Sequence, residues 1–274
     1  MAGDHALRDR HLFGAGPKRM LSLDGGGVRG VISVALASES VDIGQIGLGP
    51  AINAIARGAS VKIVAGSGRA GEGFVVRSDS TVHTMKDLKG KRVSIPSKGS
   101  MQDYVLRKAL AANGMRFSDV DVLIVAEADI NSALLTNQVD VVSGAEPAVS
   151  NVVAAGARMI ATGQDIWPDH ANDVIVATTA SIKERPDAVQ ATIDTFTRAI
   201  TFVQEHASEA QEITAKATGV PIAVVRAAWR NVGWYSGARP DMASIQELGK
   251  LMLQDGIIPK PFNAQEGVDG SFTK

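Results

Sequence analysis

Apolar positions along this chain follow two periods. Short β-branched runs, patterned like strands, alternate with segments whose apolar residues recur at helical spacing. From residue 36 onward, VDIGQI predicts a strand, GLGP a turn, AINAIAR a helix stopped by Gly58, and VKIVAG a second strand. RVSIP, DVDVLIVA, VDVVS, RMIATG and VIVATTA read as further strands. Met101, Val105, Ala109 and Ala112 share one helix face, and Ser100 with Asp103 fits a capping box at its start. Asp129 is placed to cap the helix INSALLTN. Val189, Ile193, Phe196, Ile200 and Val203 fall at 4-3-4-3 spacing and predict a long amphipathic helix. Further helices are expected around EAQEITAKATG, IAVVRAAWRNV and MASIQELGKLMLQDG. The sum is an α/β protein without a long linker.

One part of the pattern occurs twice. Residues 36–66 and 135–163 share Val-Asp (Val41-Asp42, Val139-Asp140), Pro-Ala (Pro50-Ala51, Pro147-Ala148) and Gly-Ala (Gly58-Ala59, Gly156-Ala157) in the same order. Each copy reads as strand, turn with Pro at the first helical position, Ala-rich helix, Gly stop and second strand. That is a βαβ unit, which implies parallel strands and a right-handed crossover. Two such units predict two similar lobes.

Composition then narrows the functions open to such a fold. The chain has 274 residues, 45% hydrophobic and 21% charged, enough to bury a substantial core. A formal charge of −1 supplies no field for gathering nucleic acid or anionic membrane, so neither is expected as a partner. There is no cysteine, which excludes disulfides, thiol nucleophiles and zinc–thiolate sites. No apolar run reaches the roughly 18 residues of a membrane span, and direct membrane insertion is not expected. MAGDHALRDRHLF lacks the apolar segment of a secretory signal. His5, His11, His83 and His206 sit in separated polar contexts without metal-ligand spacing, so no metal and no cofactor is expected.

Candidate chemistry lies where helices start. Gly47-Leu48-Gly49-Pro50-Ala51, Lys98-Gly99-Ser100-Met101-Gln102-Asp103 and Gly144-Ala145-Glu146-Pro147 each place free backbone N–H groups at a helix N-terminus, where the dipole favours an anion. Ordinary helix capping explains each of them singly. Gly66-Ser67-Gly68 and Gly71-Glu72-Gly73 read as a flexible turn at the same edge, lacking the Gly-Lys-Ser/Thr ending of a phosphate loop. Trp167-Pro168-Asp169-His170 joins an aromatic face to two polar groups, and Trp167 could cover a solute's apolar part or simply pack. Near the N-terminus, LSLDGGGVRG runs from a strand through Gly25, Gly26 and Gly27, a candidate anion nest.

Two resemblances follow from these motifs. PKRMLSLDGGGVRGVISVA, within residues 10–35, resembles the opening of the patatin-like phospholipases, which implies a serine–aspartate lipid acyl hydrolase. Its Gly-x-Ser-x-Gly elbow is absent. The nearest string is Ala65-Gly66-Ser67-Gly68-Arg69, and Asp269-Gly270 is left as an isolated match to the dyad partner.

LASESVDIGQIGLGPAINAIARGASVKIVAG, TMKDLKGKRVSIPSKGSMQDYVLRKAL, GAEPAVSNVVAAGARMI and DIWPDH resemble the substrate-binding proteins of ABC importers for nitrate, sulfonates, taurine and thiamine precursors. That resemblance implies a two-lobed, type II periplasmic-binding-protein-like fold, non-enzymatic, closing on a small anionic or zwitterionic solute. It further implies an ABC permease as partner and a periplasmic or cell-envelope location, while the lack of a signal-like segment leaves a cytoplasmic one as the alternative. Gly49, Pro50, Ala51, Gly66, Ser67, Ser100, Gln102 and Glu146 match the cleft turns, and Trp167 is added as a solute-facing aromatic.

The family's usual first strand-helix-strand-helix segment is missing here, so the first lobe reads as rebuilt or truncated. The expected division is residues 1–35 as a patatin-like segment, 36–91 with 172–274 as lobe 1, and 92–171 as lobe 2. RMLSLD is expected to pair beside VDIGQIG. The remaining alternatives are a hydrolase fragment, or a chimeric fusion without tight ligand binding.

Overall fold

A computed structural model describes residues 20–21, 41–234 and 236–273. Two five-stranded sheets organise them. In the first, β1 (Met20–Leu21) pairs in parallel with β2 (Ile43–Gly47), and β2 pairs antiparallel with β9 (Ala171–Thr178). Next come β3 (Val61–Ala70) and the short β10 (Val232–Gly233). The second sheet runs β6 (Asp121–Ile124), β5 (Arg92–Ile95), β7 (Val141–Ala145), β4 (Glu72–Val76) and β8 (Arg158–Thr162). The expected pairing of RMLSLD beside VDIGQIG is present at Met20↔Ile43 and Leu21↔Gly44.

Each repeat forms the same unit. In the first, β2 and β3 are joined by helix α1 (Leu48–Ala56); in the second, β7 and β8 are joined by α4 (Ala148–Ala154). The two strands of each unit are parallel but not adjacent, because an antiparallel strand lies between them. That strand is β9 in the first sheet and β4 in the second. Each lobe thus receives, at the middle of its repeat, the strand that has just crossed from the other lobe. Gly58 and Gly156 end α1 and α4 with φ of +91° and +103°, the left-handed stop a Cβ disfavours.

Several local expectations need correction. The division between lobes lies near Gly71, not residue 92, because Glu72–Val76 hydrogen-bonds to β7 and β8 of the second sheet. Gly66-Ser67-Gly68 is not a flexible turn. It lies within β3, where register shifts against β9 absorb the irregular backbone. Pro50 is the third residue of α1, and Pro147 is the N-cap of α4; both fall where helix N–H groups have no internal acceptor.

Helix α2 (Met101–Ala112) takes half a capping box. Ser100 accepts from the Asp103 N–H, but Asp103 reaches back to the Gly99 N–H. Asp129 stands at the N-cap of α3 (Ile130–Leu135) without a side-chain cap.

The remaining helices are α5 (Gly163–Ile166), α6 (Thr179–Glu184), α7 (Pro186–Glu205), α8 (Ala207–Thr218), α9 (Ile222–Trp229), α10 (Met242–Gln254) and α11 (Ala264–Gly267). α7 buries Val189, Ile193 and Ile200 against Ile43, Val64 and Ile175 of the first sheet, as its spacing predicts. Val75, Val142 and Val149 form the matching core under α3 and α4 on the second sheet. A third apolar cluster is continuous between the lobes, joining Leu48 and Ile52 of α1 to Met101 and Tyr104 of α2 and Met252 of α10.

Candidate functional site

The two lobes meet where helices α1 and α2 start. A Cβ built on Gly49 would stand 2.0 Å from the Gly99 carbonyl oxygen and 3.7 Å from Ser100 Cα, so only a glycine allows this approach. Gly99, with φ of +81°, in turn faces Ile257 and Met252 of the first lobe. Two of the predicted turns are therefore brought together, Gly49-Pro50-Ala51 from one lobe and Gly99-Ser100 from the other.

Their electrostatics differ. The N-cap of α1 is Gly47, which has no side chain with which to cap the first turn, where the helix dipole is positive. α2 is held by Ser100 and by Asp103, which is fully buried and ion-paired to Arg107 at 2.8 Å. Arg107 continues to Asp255 at 3.4 Å, and Lys108 pairs with Glu247 at 2.7 Å, both links from α2 to the region of α10.

Ser67 and Gln102 carry buried polar atoms without a hydrogen-bond partner among the described residues, Ser67 Oγ and Gln102 Oε1. The Gln102 amide is oriented by its nitrogen, which donates to Glu127 at 3.3 Å, so the oxygen is the end left open. Buried polar atoms are costly unless paired. Gly66 lies opposite Val174 in the β3–β9 ladder.

Glu146 does something the sequence pattern does not foretell. Its carboxylate accepts from Ser150 Oγ at 2.9 Å and the Ser150 N–H at 3.2 Å, both in α4, and from Asn231 Nδ2 of the first lobe. Burial raises its pKa, with the bonds from Asn231 and Ser150 opposing that rise. It is an interlobe link, reinforced by packing of α9 on α4.

Trp167 is 8% exposed, stacked on His170 at 5.2 Å with Lys108 Nζ 4.0 Å from its ring centre. The structure packs it against protein partners. Gly25, Gly26 and Gly27, the candidate anion nest, lie outside the described residues.

Sequence reasoning also missed Asp173. In β9 it sits between Gly47 and Gly68, and its carboxylate oxygens lie 3.7 and 3.6 Å from where their Cβ atoms would be. Two glycines opposite one acid in register are the signal, legible only once pairing is known. Asn231, isolated in sequence, gave no signal at all. Among the described residues, no three His, Asp or Glu side chains gather as a metal site, and no helix is long and apolar enough to cross a membrane.

Residues 29–219 match the sequence profile of the NMT1-like family, well over half of the chain. The chain belongs to the NMT1-like family. A binding protein of Brucella abortus is 29% identical over 185 residues, which is 66% of this chain but 57% of that relative, so the match spans little more than half the relative's length. A Bacillus subtilis protein named as an aliphatic sulfonates-binding protein is 27% identical over 244 residues, covering 87% of this chain and 73% of its own.

Solved structures agree on the fold. The alkanesulfonate-binding protein SsuA from Xanthomonas axonopodis pv. citri, bound to MOPS, superposes with a TM-score of 0.79 at 24% identity, covering 88% of this chain and 84% of that one. The fold is that of the periplasmic binding proteins. The same fold serves the desulfurization enzyme DszB, with a TM-score of 0.65 at 15% identity, covering 93% of this chain and 97% of that one. Fold alone therefore does not separate binder from enzyme.

Proposed function

We propose that this NMT1-like protein is the solute-binding component of an ABC importer, holding a small anionic or zwitterionic organic solute, of sulfonate, taurine or nitrate type, between its lobes. The observation that carries this reading is the meeting of Gly49 with Gly99-Ser100 beside the N-terminus of α1, whose N-cap is a glycine. Backbone N–H groups and a helix dipole suit a compact anion without requiring a cationic side chain. The unpartnered Ser67 Oγ and Gln102 Oε1 supply the polar contacts that orient the rest of the solute. The names of the B. subtilis and Xanthomonas proteins support the sulfonate class. In this reading the protein acts as a binder, not a catalyst. It works with a membrane permease and at the cell envelope, as such binding components do.

A thermal-shift screen with nitrate, taurine, alkanesulfonates and pyrimidine precursors tests the proposal. A solute at a hundredfold excess over its Kd stabilises the folded chain by about 2.7 kcal/mol through mass action. No shift with any of them contradicts the reading. Sustained hydrolysis of a p-nitrophenyl ester by the pure protein would replace it with an enzymatic one.

A further inference from the structure

The chain passes between the lobes twice, at Ala70-Gly71-Glu72 and at Asp169-His170-Ala171, and these two segments are bonded to each other. The Ala70 N–H donates to the His170 carbonyl at 3.1 Å, Asn172 donates back to the Ala70 carbonyl, and Arg69 donates to the Asp169 carbonyl at 2.9 Å. Ala70, Gly71 and Asp169 all adopt positive φ, so both strands turn sharply here. In the middle lie two ionisable side chains with no exposed surface, Glu72 on one crossing and His170 on the other, 2.9 Å apart. Gly163 is packed so closely on both that a Cβ there would meet Glu72 Oε2 at 2.5 Å and His170 Cε1 at 3.2 Å.

The imidazole faces an acceptor at each nitrogen. Nδ1 lies 2.5 Å from the Trp167 carbonyl, which can only accept, and Nε2 lies 2.9 Å from Glu72 Oε2. A neutral imidazole beside an ionised carboxylate has one proton for two acceptors, leaving one contact repulsive. The geometry is satisfied only when the pair holds an extra proton, either as imidazolium with carboxylate or as imidazole with carboxylic acid. Other charges facing the pair are few. Lys108 approaches from α2, while Asp165 and Asp169 on its own loop are engaged by Thr162 and Gln164. Glu72 Oε1 has no partner among the described residues, so nothing else compensates this carboxylate from that side.

We propose that Glu72 and His170 form a proton-loaded pin through the hinge, and that the lobes hold their closed geometry only while the pair carries that proton. Loss of the proton to solvent leaves an uncompensated buried carboxylate between the two crossing strands. Water entering the hinge to solvate it lets the strands bend apart.

Burial pulls the His170 pKa down, but the hydrogen bond and charge of Glu72, with the Trp167 carbonyl, outweigh it and leave it above the ordinary imidazole value. The closed geometry is therefore fully supported below about pH 6.5, the ordinary imidazole value. That support is lost as the pH rises through the raised pKa.

The test reads lobe separation directly and needs no solute, so its outcome is independent of the proposed transport role. Because the chain has no cysteine, spin labels can be placed at A112C on α2 and T201C on α7, both exposed and one in each lobe. The expected result is a single narrow interlobe distance at low pH that broadens and lengthens with a midpoint above pH ~6.5. Glu72→Gln gives neutral His170 a donor at Nε2, leaving its Nδ1 proton for Trp167, so this variant should stay narrow at every pH. His170→Ala should be broad at every pH. A wild-type distance that does not change across the range overturns the proposal, and so does a pH step that survives in Glu72→Gln. The wild-type titration decides the matter even where a variant fails to fold.

Discussion

The first repeat meets the opposite lobe with bare backbone at Gly49; the second meets it with a carboxylate at Glu146. Both positions precede or begin the helix of the same strand-helix-strand unit, and both units flank a strand crossing from the other side. What differs is how closure is specified. At Gly49 the approach is steric and backbone to backbone, so it tolerates no added atom. At Glu146 it is polar, satisfied by Asn231, so that edge is committed to the protein itself. On the proposed function, the repeated unit is divided into a binding turn and a locking turn. The proposed solute is assigned accordingly to the first.

The largest effect is expected from Gly49→Ala. The added methyl collides with the Gly99 carbonyl only when the lobes meet, while alanine at a helical position is intrinsically favoured over glycine. An overpacking cost of about 1–3 kcal/mol on the closed form weakens solute affinity by about five- to 150-fold, measurable by calorimetry. Unchanged affinity would mean that this contact does not accompany binding.

A smaller effect is expected from Asn231→Ala set against Ser150→Ala. Both leave Glu146 one donor short, at about 1–2 kcal/mol. Only Asn231 bridges the lobes, so its loss should lower affinity as well as stability, whereas Ser150→Ala should lower stability alone. Denaturant titrations alongside binding curves separate the two. If both variants lose affinity equally, Glu146 belongs to the solute site after all.

The smallest effect compares the helix stops. Gly58→Ala and Gly156→Ala each force a left-handed backbone on alanine with open space around the new methyl. Each should cost about 1–2 kcal/mol, alike in the two lobes and additive in the double variant. Thermal unfolding checks this. A marked inequality would show that the two units are not equivalent in the folding of the chain.

What could be read from sequence was local. Gly58 and Gly156 announce helix ends because the conformation they permit depends on one residue, and Ser100 announces a helix start for the same reason. The amphipathic spacing of α7 survives because one face of a long helix meets one sheet. Pairing across distance was not legible. The apolar pattern of a five-residue strand cannot say which sheet it joins, and only the bonds to β7 and β8 place Glu72–Val76 in the second lobe. Gly66-Ser67-Gly68 looks like a turn because glycine usually marks one, and its long partner β9 overrides that preference. Among the candidate site residues, Gly49 and Ser100 stand where the lobes meet. Glu146 and Trp167 are engaged by Asn231, His170 and Lys108, partners that no sequence spacing reveals.

On the proposed function, a compact anionic solute is held where Gly49 meets Gly99. The most direct measurement is a calorimetric titration of the wild-type chain and of Gly49→Ala with the same alkanesulfonate. Saturable one-to-one binding to the wild type and at least about fivefold weaker binding to the variant are expected. Equal affinity in both, or no saturable binding to the wild type by any of the screened anionic solutes, would contradict it.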